Sequence, residues 1–257
     1  MREKNFVELL LLFKEGNVSI DEVLAKLRVL RVEEVEGIAQ LDLGRDERCG
    51  IPEVILAEGK DFEHLKKIIG SQISTKGRSI ISRIGGSSAR KITKWSDSYG
   101  IICSYNKDGR ILVCKKEYEL EKTGGKIGII TAGTSDIRVA EEAKVIAEEM
   151  GCEVMTAYDV GAAGIHRLFP AIRDLSESHA LVVAAGREGT LPAVVAGLTD
   201  IPVIGVPVST GYGYMGRGEA ALASMLQSCS VVSVVNIDAG FTAGAFAARI
   251  ANMVAVK

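Results

Sequence analysis

Residues 126–151 read KIGIITAGTSDIRVAEEAKVIAEEMG: an uninterrupted apolar run, a Gly-Thr-Ser-Asp turn, then apolar positions at helical spacing closed by Gly151. A strand without polar alternation is buried on both faces, and in a parallel sheet each such strand is followed by a covering helix. The same unit recurs downstream. EVMTAYD leads to IHRLFPAIRDLSES, ALVVAAG to REGTLPAVVAGL, PVIGVPV to GEAALASMLQ, and VVSVVNIDAG to a last helix through Met253. This repetition predicts a doubly wound α/β domain over residues 126–257, three layers deep, with its parallel sheet covered on both faces.

Upstream the texture differs. Residues 3–31 predict two short amphipathic helices, turned at Gly16-Asn17, with Ser19 and Glu22 forming a capping box. Leu9, Leu12, Phe13, Val23, Leu24 and Leu27 supply their packing face. EVILAEG, SIISRIG, GIICSYN and RILVCKK read as strands, DFEHLKKIIGSQI as a helix, and Asn106-Lys107-Asp108-Gly109 as a hairpin-type turn. Residues 1–122 are therefore expected to form a helical hairpin and a smaller α/β domain, with Thr123-Gly124-Gly125 as the punctuation between the two.

Composition narrows the function. Lys and Arg number 31 against 33 Asp and Glu, and aromatics are 5% of the 257 residues. Neither a basic field nor stacking material for nucleic acid is present. The apolar run FVELLLLF is interrupted by Glu8 and is far shorter than the ~20 residues of a membrane helix. The 5 cysteines are scattered, odd in number and without a CxxC pair, so neither a disulfide framework nor a zinc knuckle is expected. A soluble, cytoplasmic protein without nucleic-acid or membrane partners follows as the expectation.

Ligands of such sheets bind at the carboxyl ends of the strands. Those ends read Ala132-Gly133-Thr134-Ser135-Asp136, Asp159-Val160-Gly161-Ala162-Ala163-Gly164, Ala185-Gly186-Arg187-Glu188-Gly189-Thr190, Ser209-Thr210-Gly211-Tyr212-Gly213 and Asn236-Ile237-Asp238-Ala239-Gly240. One glycine-rich turn is ordinary strand–helix sterics. Repeated along one rim, such loops favour a phosphate-containing small molecule, because glycine lets backbone N–H groups approach an anion. None matches the dinucleotide-binding or P-loop spacing, which disfavours a common redox site or an NTPase.

These residues carry a resemblance. AAGREGTLPAVVAGLTDIPVIGVPV, the Gly133-Thr134-Ser135-Asp136 loop and His166-Arg167 resemble the PurE family of carboxyaminoimidazole ribonucleotide mutases, whose fold is flavodoxin- or Rossmann-like. The full chain is more similar to the LarB-type family of pyridinium-3,5-biscarboxylic acid mononucleotide synthases, which act in nickel-pincer nucleotide biosynthesis. That similarity runs through Leu41-Asp42, Arg45, Arg48, Gly50 and Pro52-Glu53-Val54-Ile55, and through the rim loops to Cys229. Leu43-Gly44 stands where the family has His-His.

The resemblance implies carboxylation of the pyridinium ring of nicotinic acid adenine dinucleotide by carbon dioxide, with cleavage of the phosphoanhydride to release AMP. It also implies a homo-oligomer, an octamer as in the mutase-like families. By spacing alone Cys229 reads as a small buried hydrophobe at a helix end; the resemblance assigns it as the reversible nucleophile. Glu188 is the candidate base, or else a first-turn acid on a helix dipole. Asp136 is assigned to catalysis, orienting a carboxyl group or ribose hydroxyls. His166 and Arg167 are assigned to phosphate. Gly133, Thr134, Ser135, Asp159, Gly186, Arg187, Gly189, Thr190, Ser209, Thr210, Gly211, Tyr212, Asn236 and Asp238 complete the candidate substrate site. No tightly bound cofactor is expected, and no spacing demands a metal; a magnesium ion assisting anhydride cleavage would find Asp159, Asn236 and Asp238 on the rim. Arg45, Arg48, Lys60 and Lys66 read as a lid over an anionic substrate or as a solvated face. A purine-precursor mutase and a non-catalytic nucleotide sensor are the alternative functions.

Overall fold

The computed structural model of the protein describes residues 3–28, 32–211 and 213–255. Helices α1 (Glu3–Lys14) and α2 (Ile20–Arg28) form the expected hairpin. The Ser19 N–H donates to the Glu22 carboxylate at 2.8 Å and the Glu22 N–H to Ser19 Oγ at 3.2 Å, the reciprocal cap read from sequence. Only part of the predicted packing face is covered: Leu9 and Val23 are buried, whereas Phe13 and Leu24 are 40% and 46% exposed.

Strands β1 (Val32–Val35) and β2 (Ala39–Asp42) make an antiparallel ribbon, followed by the short helix α3 (Arg45–Cys49). Then come β3 (Val54–Leu56), α4 (Phe62–Lys76), β4 (Arg78–Ser82), α5 (Gly86–Asp97), β5 (Ile102–Asn106) and β6 (Ile111–Lys115). The strands form a mixed sheet in the order β3-β4-β6-β5. Helix α5 has no counterpart in the sequence reading; its Ala89 and Ile92 are buried, but the polar residues between them mask the period. Alternation splits the sheet's two faces. Ile81, Leu112 and Cys114 join α4 and α5 in one core, while Ile80, Ile111 and Val113 enter the core of the downstream domain. Cys103 and Cys114 are directly opposed across β5 and β6 and joined as a disulfide, correcting the expectation of no disulfide. The hairpin-type turn predicts that β5 and β6 pair, but the register that sets Cys103 opposite Cys114 is read only from the structure.

The second half contains β7 (Lys126–Thr131), α6 (Ile137–Glu149), β8 (Glu153–Ala157), α7 (Leu168–Asp174), β9 (Ala180–Ala185), α8 (Leu191–Ala196), β10 (Val203–Pro207), α9 (Glu219–Leu226), β11 (Ser233–Val234) and α10 (Gly240–Ala255). All five strands are parallel, in the order β11-β10-β9-β7-β8. This is the flavodoxin-like doubly wound order, and the fold class is the expected one. Along β9, Ala180, Val182 and Ala184 face α6 and α10, whereas Leu181, Val183 and Ala185 face α7, α8 and α9.

One expectation changes here. The segment before the last helix is not a long buried strand: β11 has two residues and Val231 is 93% exposed. At the sheet edge it has a single neighbour, β10, and apolar sequence cannot report that. The small residues of α10, which the helical pattern leaves without an assigned partner, are used within the chain. A Cβ at Gly244 would lie 2.3 Å from the Ala143 carbonyl oxygen, and one at Gly240 2.4 Å from that of Val139. Close approach of α10 to α6 therefore requires glycine at both positions.

The N-terminal sheet docks on the exposed flank of α6. Arg78 and Lys115 pair with Glu149 at 3.1 and 2.7 Å, Ser82 donates to the Glu142 carboxylate, and Gly109 abuts the backbone of Glu141 and Glu142.

Candidate active site

Strand order reverses between β7 and β9, so the loops after these strands diverge and leave a crevice at the carboxyl rim. A cavity of about 360 Å³ opens there. Gly133, Ser135 and Asp136 form one wall, Gly186, Arg187, Glu188 and Thr190 the next, and Thr210 and Gly211 close it. Ala132, Gly161, Ala162, Ala163, Ala185 and Leu191 supply the remaining, small-residue lining.

Local sterics explain the glycines. A Cβ on Gly161 would sit 2.5 Å from the Ala132 carbonyl, so the β8 loop can cross the β7 loop only as glycine. Gly189 has φ +66°, and a Cβ there would lie 2.6 Å from the Ala221 carbonyl oxygen. Its neighbour Arg187 is also left-handed, at φ 52°, an arrangement that costs about 1–3 kcal/mol in a non-glycine residue.

Asp136 is the buried carboxyl of the site, 4% exposed. Its Oδ2 accepts from the Gly133 N–H at 2.9 Å and its Oδ1 from the Thr210 hydroxyl at 3.5 Å. Burial pushes its carboxyl above the ordinary carboxylate range, although the N–H groups of Gly133 and Gly186 favour the charged form. Glu188 is exposed at the mouth of the same cavity. One sheltered carboxyl and one accessible carboxylate thus face a space lined by backbone and small side chains. Such a space suits a ligand with an anionic end and a group needing proton removal.

Other predicted residues lie elsewhere. Thr134, Asp159, His166, Arg167, Gly189, Ser209, Asn236 and Asp238 do not line this cavity. Arg167 pairs with Asp159 at 3.0 Å, both side chains well exposed, and its guanidinium folds over Gly164. His166 is exposed. Asn236 turns its amide oxygen onto the Ile237 N–H. Ser209 and Asp238 stand behind the wall: the Asp238 carboxylate accepts from the Ser209 N–H at 3.0 Å and from its hydroxyl. Tyr212 lies outside the described residues. Among the described residues no group of three or more His, Cys, Asp or Glu gathers as a metal site.

Cys229 is exposed, so the buried-hydrophobe reading does not hold. It follows α9 and precedes β11, which places it at the amino edge of the sheet. Glu188 follows β9 at the carboxyl rim. A strand of β9's length, six residues, separates the two edges by roughly 20 Å at ~3.3 Å per residue.

Residues 126–256 match the AIR carboxylase family and residues 32–116 the LarB/PurE-like N-terminal domain. The chain belongs to the AIR carboxylase family. It is similar along nearly its whole length to an uncharacterized protein of Methanocaldococcus jannaschii, MJ0165: 46% identical, covering 97% of this chain and 98% of that one. An N5-carboxyaminoimidazole ribonucleotide mutase of the same organism is 34% identical over 48% of this chain and 77% of its own. The Thermotoga maritima mutase is 36% identical over 33% of this chain and 51% of its own. With this family comes an enzyme of carboxylase or mutase type, carrying an added LarB/PurE-like N-terminal domain. No helix among the described residues is long and apolar enough to cross a membrane.

The sequence reading missed Arg83, Arg110, Arg138 and Glu142, which line a second cleft described below. No motif joins them; three elements bring them together.

Proposed function

We propose that the protein carboxylates the pyridinium ring of nicotinic acid adenine dinucleotide with carbon dioxide and hydrolyses the phosphoanhydride, releasing AMP. The observation that carries this reading is the rim cavity at the switch point, with buried Asp136 and accessible Glu188, in a chain matching the LarB/PurE-like N-terminal domain. The ring is electron-poor and its meta carbon does not attack carbon dioxide unaided. Addition of a thiolate para to the nitrogen forms a C–S bond and converts the ring to an enamine. The meta carbon then bonds to carbon dioxide, the Glu188 carboxylate takes the proton from that carbon, and expulsion of the thiolate restores the aromatic ring. Water adds to the anhydride and AMP leaves. Asp136 and the N–H groups of its loop orient the carboxylated end.

The geometry adds a requirement. Within one chain Cys229 lies at the opposite edge of the sheet from Glu188, so the attacking thiol comes from a second copy, and the active form is a homo-oligomer. Incubation with the dinucleotide and ¹³C-bicarbonate, followed by mass spectrometry, tests the reaction: labelled biscarboxylated mononucleotide and AMP are expected. Dinucleotide returned without label overturns it. The mutase similarity over residues 126–256 favours one second reading, carboxyl migration on a purine-precursor ribonucleotide. Turnover of that substrate in place of the dinucleotide would establish it.

A further inference from the structure

Behind the Ser209 wall, where the N-terminal sheet meets α6 and the loop before α10, two contiguous cavities of about 170 and 330 Å³ share Arg83, Glu142 and Asp238. Arg110 and Arg138 line the first. The three arginines come from the β4 and β6 ends and from the first turn of α6. Arg83, Arg110 and Asp238 are all left-handed, at φ 55°, 51° and 56°. Non-glycine residues hold that conformation at a cost, and here the chain does so at three points around one cleft.

The acids in the cleft are already engaged. Asp238 accepts twice from Ser209 and pairs with Arg138 at 3.2 Å; Glu142 accepts from Ser82. Glu58 reaches Arg83 only at 3.5 Å, with both side chains about half exposed, and such a pair holds weakly against a competing anion. Arg110 donates to the Arg83 carbonyl at 3.2 Å, and Arg83 to the Asp238 carbonyl at 3.4 Å. Among the described residues Arg110 forms no ion pair. A guanidinium carries five N–H donors in a planar fork, so most donors of these two arginines remain for an oxyanion.

We infer that this cleft binds the phosphoryl group of a nucleoside monophosphate. On the reaction proposed above, which supplies only the nucleotide's identity, that is the AMP half of the dinucleotide. The nicotinate half occupies the rim cavity, and the Ser209–Asp238 contact is the septum between the halves. The N-terminal domain thereby contributes Arg83 and Arg110 to the substrate site.

Calorimetric titration of the full-length protein with AMP, inorganic phosphate and adenosine tests the inference. AMP and phosphate should bind and adenosine should not. The double substitution Arg83→Asn with Arg110→Asn keeps residues that tolerate the left-handed backbone and removes both forks. It should weaken AMP by at least about tenfold, and the paired change to lysine, which keeps charge but not the fork, by less. Circular dichroism and Tm confirm that both variants fold. Unchanged AMP affinity in both double variants, or adenosine binding as tightly as AMP, overturns the cleft assignment. Failure to incorporate labelled carbon dioxide bears on the reaction alone and leaves these titrations standing.

Discussion

The rim cavity and the inter-domain cleft lie on either side of the Ser209–Asp238 contact and are built in opposite ways. The rim is made largely of glycine and alanine on the loops that follow consecutive strands, with its charge confined to Asp136, Arg187 and Glu188. The cleft is made of long charged side chains from sequence-distant elements, held on strained backbone. A small-residue pocket lets backbone donors and one buried acid act on a reacting group at short range. A guanidinium pocket grips an anion without needing to touch the reaction. On the proposed reading, chemistry and grip fall in different regions.

The largest effect that would sharpen this division is loss of carboxylation in Cys229→Ser, by at least about a hundredfold, because an alcohol is a much poorer nucleophile than a thiolate near neutral pH. AMP affinity should stay at the wild-type value. Carboxylation near the wild-type rate would remove the thiol from the scheme. Co-assembled Cys229→Ser and Glu188→Gln subunits should regain part of the activity if the thiol acts across copies; a dead mixture would refute action in trans.

Glu188→Gln comes next, with an expected loss of about 10²–10⁴-fold. The amide cannot take the ring proton, so a cysteinyl–dihydropyridine adduct should accumulate, visible as added mass on Cys229 and altered near-ultraviolet absorbance. Wild-type turnover would leave Glu188 as no more than a helix-dipole charge.

Gly244→Ala tests the scaffold that both regions share. Its methyl meets the Ala143 carbonyl at 2.3 Å, so α10 must move away from α6 at about 1–3 kcal/mol in stability. An unchanged urea midpoint would show that the two helices separate freely.

The cleft also carries a pH signature. Burial raises the Glu142 carboxyl above its ordinary value, against the lowering effects of Ser82 and Arg83. The folded state then holds the proton more tightly than the unfolded chain. This contribution is complete below the ordinary glutamate range and is lost as pH rises through the folded value. Glu142→Gln should flatten the fall in Tm over that window; an unchanged slope would assign the fall to other groups.

The smallest effect is expected at Arg167. Its exposed pair with Asp159 should contribute no more than ~1 kcal/mol, and Arg167→Ala should leave dinucleotide affinity within about threefold. A larger loss would return the phosphate to this arginine and break the division between rim and cleft.

The sequence by itself determined the doubly wound domain and most of the rim. Continuous apolar strands, helices at regular spacing and glycine at each strand end are local signals. Gly133, Asp136, Gly186, Glu188 and Thr210 were legible for that reason. Only the tertiary structure decided that Cys229 is exposed, because its burial depends on how the two-residue edge strand β11 sits against its single neighbour β10. It alone decided that the small face of α10 packs on α6, that Cys103 meets Cys114, and that Arg167 turns to Asp159. It alone assembled Arg83, Arg110 and Arg138, since contacts between residues far apart in sequence depend on docking one sheet against one helix, and no periodicity encodes that.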